Sequence, residues 1–146
     1  MELVRIYEIP DCKMVSSGIG MFGEEKFERF GNWFSSLPKT IFPHDFLFEE
    51  KGSLHWVFLY DPNMDVPKEF DIIDFKGGLY AVYCDIDQKT DIEAMYKVKR
   101  EFLKPFGYEF DKSRPEMGHI IGSPSTKKVL GYAQMDYWTP IKPIEK

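Results

Sequence analysis

Apolar and polar positions along this chain set out the same order of elements twice. A strand-like run, KMVSSGIG (residues 13–20), leads into an amphipathic stretch, EEKFERFGNWFSSL (24–37). Two more strand-like runs follow, SLHWVFLY (53–60) and EFDIIDF (69–75). The order returns as GGLYAVYCDID, an amphipathic stretch over 90–106, MGHIIG (117–122) and QMDYWTPI (134–141). Val15 stands as far from Val82 as Glu24 does from Asp91, although side-chain identity is barely shared. The pattern predicts a βαββ unit used twice, an α+β fold with an antiparallel sheet. Two half-domains meeting face to face would make a central cleft, and clefts are where small molecules bind.

The first amphipathic stretch puts Phe27, Phe30, Phe34 and Leu37 on one helical face, with Trp33 beside them and Pro38 as a stop. Gly31 lies inside it and lowers its helix propensity. The second opens on a T-x-x-E capping box, Thr90 and Glu93, with Asp91 at the positive end of the dipole. Its apolar stripe is Ile92, Met95, Tyr96, Phe102, Leu103 and Phe106; Pro105 falls in the last turn and Gly107 ends it. Lys97, Lys99, Arg100 and Lys104 read as a solvated face suited to the helix C-terminus.

Before the repeats, LVRIYEIP (3–10) reads as a first strand, broken by Pro10 and Asp11. The connection SSLPKTIFPHDFLFEEKGS, with two prolines and three phenylalanines, is too apolar to hang in water. It is expected to pack as a lid or an extra turn of structure around Phe42, Phe46 and Phe48. RPEMGHIIGSPSTKK reads as a strand followed by a surface loop. With no low-complexity segment and no linker, residues 1–146 form a single expected domain.

Composition narrows the function. The hydrophobic share of 43% and charged share of 29% are those of a globular protein, whereas the aromatic share of 16% is high. Those rings serve either an aromatic-rich core or a partly exposed pocket, and composition leaves both open. A net charge of −5, without a cluster of Lys and Arg, argues against direct nucleic-acid binding. No run approaches the roughly 20 apolar residues of a membrane span, and nothing resembles a leader, so a cytoplasmic location is expected. Cys12 and Cys84 read as small buried hydrophobes in a reducing compartment.

No chemical motif stands out. His44, His55 and His119 are scattered, so no metal site is expected, and no nucleotide-binding glycine motif or nucleophile elbow is present. GGLY has no helix directly behind it and reads as a backbone bend. Period-two alternation sorts the strand faces more usefully. Trp56 and Phe58 share a face with Leu54 and Tyr60, and Tyr83 shares one with Leu79, Ala81 and Asp85. In the last strand Tyr137 lies opposite Trp138. Such a sheet suits either a pocket for a flat organic ligand or a surface covered by the protein's own helices and lid. Glu116, beside His119, would stand at the cleft mouth as a cation partner or general acid.

Taken together, these residues resemble the GyrI-like family, the effector-binding domains of AraC-type and MerR-type multidrug regulators, which also occur as stand-alone proteins. The resemblance runs nearly end to end, through IPDCKMVSSGIG, FGNWFSSLP, F-x-x-I-D-F-K-G-G-L-Y-A-V, FLKPFGYEFD and DYWTPIKP. It implies a tandem SHS2-like fold, the duplicated βαββ unit with a ligand groove between the halves. It also implies a binding domain for lipophilic, aromatic and often cationic compounds, with aromatic side chains around an acid. Trp56 matches a pocket aromatic, and Tyr83, Tyr137 and Trp138 are compatible with others. The family's pocket glutamate lies in the strand that here reads MGHIIG, just before an aromatic; Gly118 and His119 occupy that pair, and Glu116 keeps the strand face.

The expected ligand-binding set is therefore Trp56, Phe58, Tyr83, Glu116, His119, Tyr137 and Trp138, with no catalytic residue, cofactor or metal. The expected role is that of a sensor or effector module of transcription regulation, working by aromatic stacking and burial. No helix-turn-helix precedes the first strand, so regulation would need a DNA-binding partner protein or a longer parent chain. A homodimer is compatible with the pattern. The resemblance also implies two alternatives: hydrolysis of reactive cyclopropane-type xenobiotics, as some stand-alone members look to perform, and a protein-interaction role like that of gyrase inhibitors.

Overall fold

The opening run forms β1 (Val4–Ile9), and the run after it forms β2 (Cys12–Gly20). The structure, a computed structural model, describes residues 3–42 and 44–145. Pro43, one of the two prolines in the long connection, lies outside the described residues. The chain divides into two compact units: Asp11–Lys76 forms one, and the segments on either side of it form the other.

In the unit Asp11–Lys76, β2 leads to α1 (Glu25–Ser35), β3 (Asp45–Glu50), β4 (Ser53–Leu59) and β5 (Asp71–Phe75). Its strands lie in the order β3-β4-β2-β5, every neighbour antiparallel. The flanking unit holds β1, β6 (Gly78–Ile86), α2 (Ile92–Leu103), β7 (Tyr108–Phe110), β8 (Met117–Ile121), α3 (Pro124–Leu130) and β9 (Gln134–Pro143). Its order is β1-β6-β9-β8, again antiparallel, with β7 also pairing β9. Each unit is thus a strand, a helix and a hairpin, with a further strand on the outer side of the first. That further strand is β5 in one unit and β1 in the other.

The duplication expected from the sequence therefore stands, with two strands reassigned: β5 answers to β1 rather than to β9. β3 and β4 in one unit match β8 and β9 in the other, so SLHWVFL corresponds to QMDYWTPIKP rather than to MGHII. The shift arises because β3 lies within the segment read as a lid. Phe46 and Phe48 are strand residues, paired with Val57 and His55. Lys51 and Gly52, with φ of 52° and 80°, make the two-residue left-handed turn that joins a tight hairpin. Phe42 does remain exposed, outside any strand.

The helices needed smaller corrections. The cap of α2 is Asp91, whose side chain accepts from the Ala94 N–H at 3.1 Å; Thr90 instead donates to the Ile86 carbonyl. Pro105 closes the helix as a 3-10 turn over Lys104–Phe106. The stretch read as a surface loop holds α3, with Ser123 capping it and Pro124 in its first turn. Of the α2 stripe, Met95 and Leu103 are buried, whereas Ile92 and Phe106 are exposed.

Each unit has its own core. Under α1, Phe30 is fully buried against Val15 and Phe70, with Trp33, Phe34, Trp56 and Phe58 packed around them. Under α2, Leu103 meets Val4, Ala81 and Ile141. In the unit Asp11–Lys76 the rings of Phe27, Phe30, Phe70 and Phe75 are buried, and those of Trp33, Phe34, Trp56 and Phe58 are half-buried. Cys84, expected to be buried, is exposed. Its thiol is nonetheless pushed up to about 11, first by loss of solvent around the sulfur and then by Asp136, so it stays protonated at neutral pH.

Candidate functional site

Strand register sorts the flanking unit's sheet into two faces, because directly paired residues project the same way. On the face that carries α2, one row reads Val4, Tyr83, Tyr137, Gly118 across β1, β6, β9 and β8. The next row reads Ile6, Ala81, Thr139. Tyr83 and Tyr137 are half-buried neighbours, and Gly118 adds no side chain beside them.

A polar corner adjoins this pair. Glu116, just before β8, accepts from the Tyr96 hydroxyl at 2.5 Å and from the Thr139 hydroxyl at 3.1 Å, one on each carboxylate oxygen. Lys99 donates to Thr139 Oγ1 at 2.8 Å and to the Tyr137 carbonyl at 2.9 Å. Lys99 is therefore not on a solvated face: it is 0% exposed. The signal was in the spacing, since Lys99 stands four residues from both Met95 and Leu103, on the buried stripe. Tyr96, Lys99 and Thr139 are the members of this corner that sequence reasoning did not single out as functional.

Burial lowers the Lys99 ammonium from an ordinary 10.5 to about 8, against the opposing pull of Glu116. Between those values the folded protein binds fewer protons than the unfolded chain, so stability should rise as pH climbs from about 8 toward 10.5. The full swing is at most about 3 kcal/mol. Urea titrations at about pH 7.5 and about pH 10 should show the rise in the wild type and lose that component in Lys99→Met.

Within the flanking unit, the expected site residues divide between the two faces of its sheet. Tyr83, Tyr137 and Glu116 come together on the α2 face. His119 and Trp138 lie on the reverse face of the same sheet. There Trp138 packs on Tyr7 and Tyr80 at 5.3 and 5.7 Å, and His119 is buried with Nδ1 3.9 Å from Asp136. Trp56 and Phe58 belong to the other unit and face α1. The Trp56 ring lies 5.1–5.6 Å from those of Phe22, Phe27, Phe30 and Phe34, and its indole N–H donates to Asp45 at 3.1 Å.

A second polar network occupies the reverse face of that unit. Ser16 Oγ bonds His55 Nε2, and His55 Nδ1 lies 3.2 Å from Glu50. The order matches a nucleophile, a base and an acid. However, Ser16 is 2% exposed and its oxygen also accepts from the Gly18 N–H, which closes the network on itself. It reads as a half-buried histidine with a partner on each ring nitrogen.

Two hollows lie away from this corner. One of about 470 Å³ lies among Asp11, Cys12, Lys13, Asp74, Phe75 and Lys76; its exposed ion pairs, Lys13–Asp74 and Lys76–Asp11, are screened by water and orient nothing. The other, about 270 Å³, is apolar and lies near the C-terminal end of α2, among Ile6, Leu79, Phe102, Phe106 and Tyr108. It lacks the charged groups that the Glu116 corner supplies. Among the described residues no group of three or more His, Cys, Asp or Glu could hold a metal ion, and no helix is long and apolar enough to cross a membrane.

These elements define the class: an α+β protein built from a βαββ unit used twice, each with an antiparallel sheet and a helix on one face. Solved structures share the fold. EcmrR is similar both as its isolated C-terminal domain, with TM-score 0.64 and 11% identity over 97% of this chain and 98% of that one, and in a complex with DNA, with TM-score 0.65 and 12% identity over 97% of this chain and 57% of that one. A hydrolase from Listeria innocua gives TM-score 0.64 and 9% identity over 97% of this chain and 92% of that one. SAV2435 bound to tetraphenylphosphonium gives 0.52 and 13% over 97% and 94%. No family model and no curated protein matches the chain. At these identities the similarity establishes the fold alone.

Proposed function

We propose that this protein is a small-molecule-binding domain that holds an aromatic ligand on the α2 face of the flanking unit. The observation that carries the reading is the Tyr83–Tyr137 pair beside Gly118, with the Glu116 carboxylate fixed at its edge. Half-buried rings supply contact area at low entropic cost, and a few placed polar groups supply orientation. Two fold relatives support it: SAV2435 is seen bound to tetraphenylphosphonium, and EcmrR is seen on DNA. The domain would act as a sensor or effector module of transcription regulation, through a DNA-binding partner or parent chain. Its negative net charge fits a module that leaves DNA contact to another part.

A thermal-shift screen with neutral and cationic planar aromatics tests this reading. Ligand at a hundred times its dissociation constant stabilises the folded state by about 2.7 kcal/mol. In a protein of this size that raises Tm by several degrees. A broad panel that shifts nothing would remove the proposal.

A further inference from the structure

We propose that Lys99 sets the charge preference of the Tyr83–Tyr137 face, so that it takes neutral aromatic molecules in preference to aromatic cations; the inference rests on the binding reading above. A carboxylate recruits a cation only to the extent that its own charge is uncompensated. Here both oxygens of Glu116 already accept hydrogen bonds, from Tyr96 and Thr139. The second donor, Thr139, is itself held by the buried Lys99 ammonium. The hydroxyl links one charge to the other through two direct hydrogen bonds.

Lys99 stays mostly protonated at neutral pH, since burial brings it down only to about 8. A second cation stands at the same corner: the Arg100 guanidinium lies 5.9 Å from the Tyr96 ring and 5.3 Å from that of Phe110. Asp85, on the same sheet face beyond Tyr83, accepts from the Ile86 N–H, which uses part of its capacity locally. An incoming cation meets a carboxylate already linked to Lys99 through Thr139 and must give up its own hydration to enter; a neutral ring of the same shape does not.

The test uses two molecules of one shape, 1-methylnaphthalene and the N-methylquinolinium cation, titrated into the whole protein. The wild type should bind the neutral molecule at least about ten-fold more tightly. Lys99→Met should narrow the gap between the two probes to less than about three-fold. Should Lys99→Met fail to fold, Glu116→Gln serves instead: with Lys99 left uncompensated, the ratio of neutral to cation affinity should widen by a further three-fold or so. A wild type that prefers the cation overturns the inference and leaves the binding reading standing. Binding of neither molecule, in a protein whose fold is verified by circular dichroism, overturns the reading and the inference together.

Discussion

Trp56→Ala is expected to destabilise the protein by about 3 kcal/mol, enough to lower Tm by roughly ten degrees. The indole is wedged among Phe22, Phe27, Phe30 and Phe34 with ring separations of 5.1–5.6 Å, and truncating it leaves a void between β4 and α1. Each ring pair contributes of order 0.5–1.5 kcal/mol beyond simple burial. Asp45 would also lose the indole donor. Gly31 faces the same ring: a Cβ there would come within 3.2 Å of it, so the glycine that weakens α1 as an isolated helix lets the indole sit close. Chemical denaturation checks the magnitude. A midpoint shift below about 1 kcal/mol would mean that Trp56 is not a core residue of its unit.

A comparable effect is expected from Gly77→Ala, at about 3 kcal/mol. A Cβ at this position would stand 2.0 Å from the Ile9 carbonyl oxygen and 2.5 Å from the Pro10 carbonyl carbon. Those are backbone atoms, so no rotamer change relieves the clash. β1 and β6 would have to part at their shared end, where Ile9 pairs with Gly78. The loss should appear as a lower denaturation midpoint together with faster amide exchange along β1, the edge strand of its sheet. Unchanged exchange in β1 would contradict the close approach as the cause. GGLY, which superficially looks like a phosphate loop, is thereby explained by packing alone.

Much of the fold was legible because its signals are local. Alternation named the strands β4, β6 and β9, and Trp56 and Phe58 share the face that alternation gave them. The missed strand, β3, lies in a segment whose prolines and phenylalanines suggested a covering loop; the Lys51–Gly52 turn was the overlooked cue. The long segment of α3 was read as loop because its seven residues carry almost no apolar periodicity. Its cap and stop, Ser123 and Gly131, were the available signs.

The candidate site was harder to read, for a physical reason. Lys99 looked solvated because lysine is rarely buried, and only its position on the Met95–Leu103 stripe contradicts that. Its partners, Thr139 and Glu116, lie far along the chain and are joined by register rather than by spacing. Likewise nothing in the sequence alone could separate Tyr137, on the α2 face, from Trp138, on its reverse, until α2 was known to cover one of them.

The central claim, that the Tyr83–Tyr137 pair holds a ligand, meets its most direct test in one titration. Affinity for 1-methylnaphthalene would be measured in the wild type, in the double variant Tyr83→Leu/Tyr137→Leu and in Tyr7→Leu, which alters the reverse face. Loss of two stacking partners, at about 1 kcal/mol each, should weaken binding about thirty-fold in the double variant and leave Tyr7→Leu close to wild type. Equal affinity in wild type and double variant, with binding lost in Tyr7→Leu, would place the ligand on the other face and contradict the account.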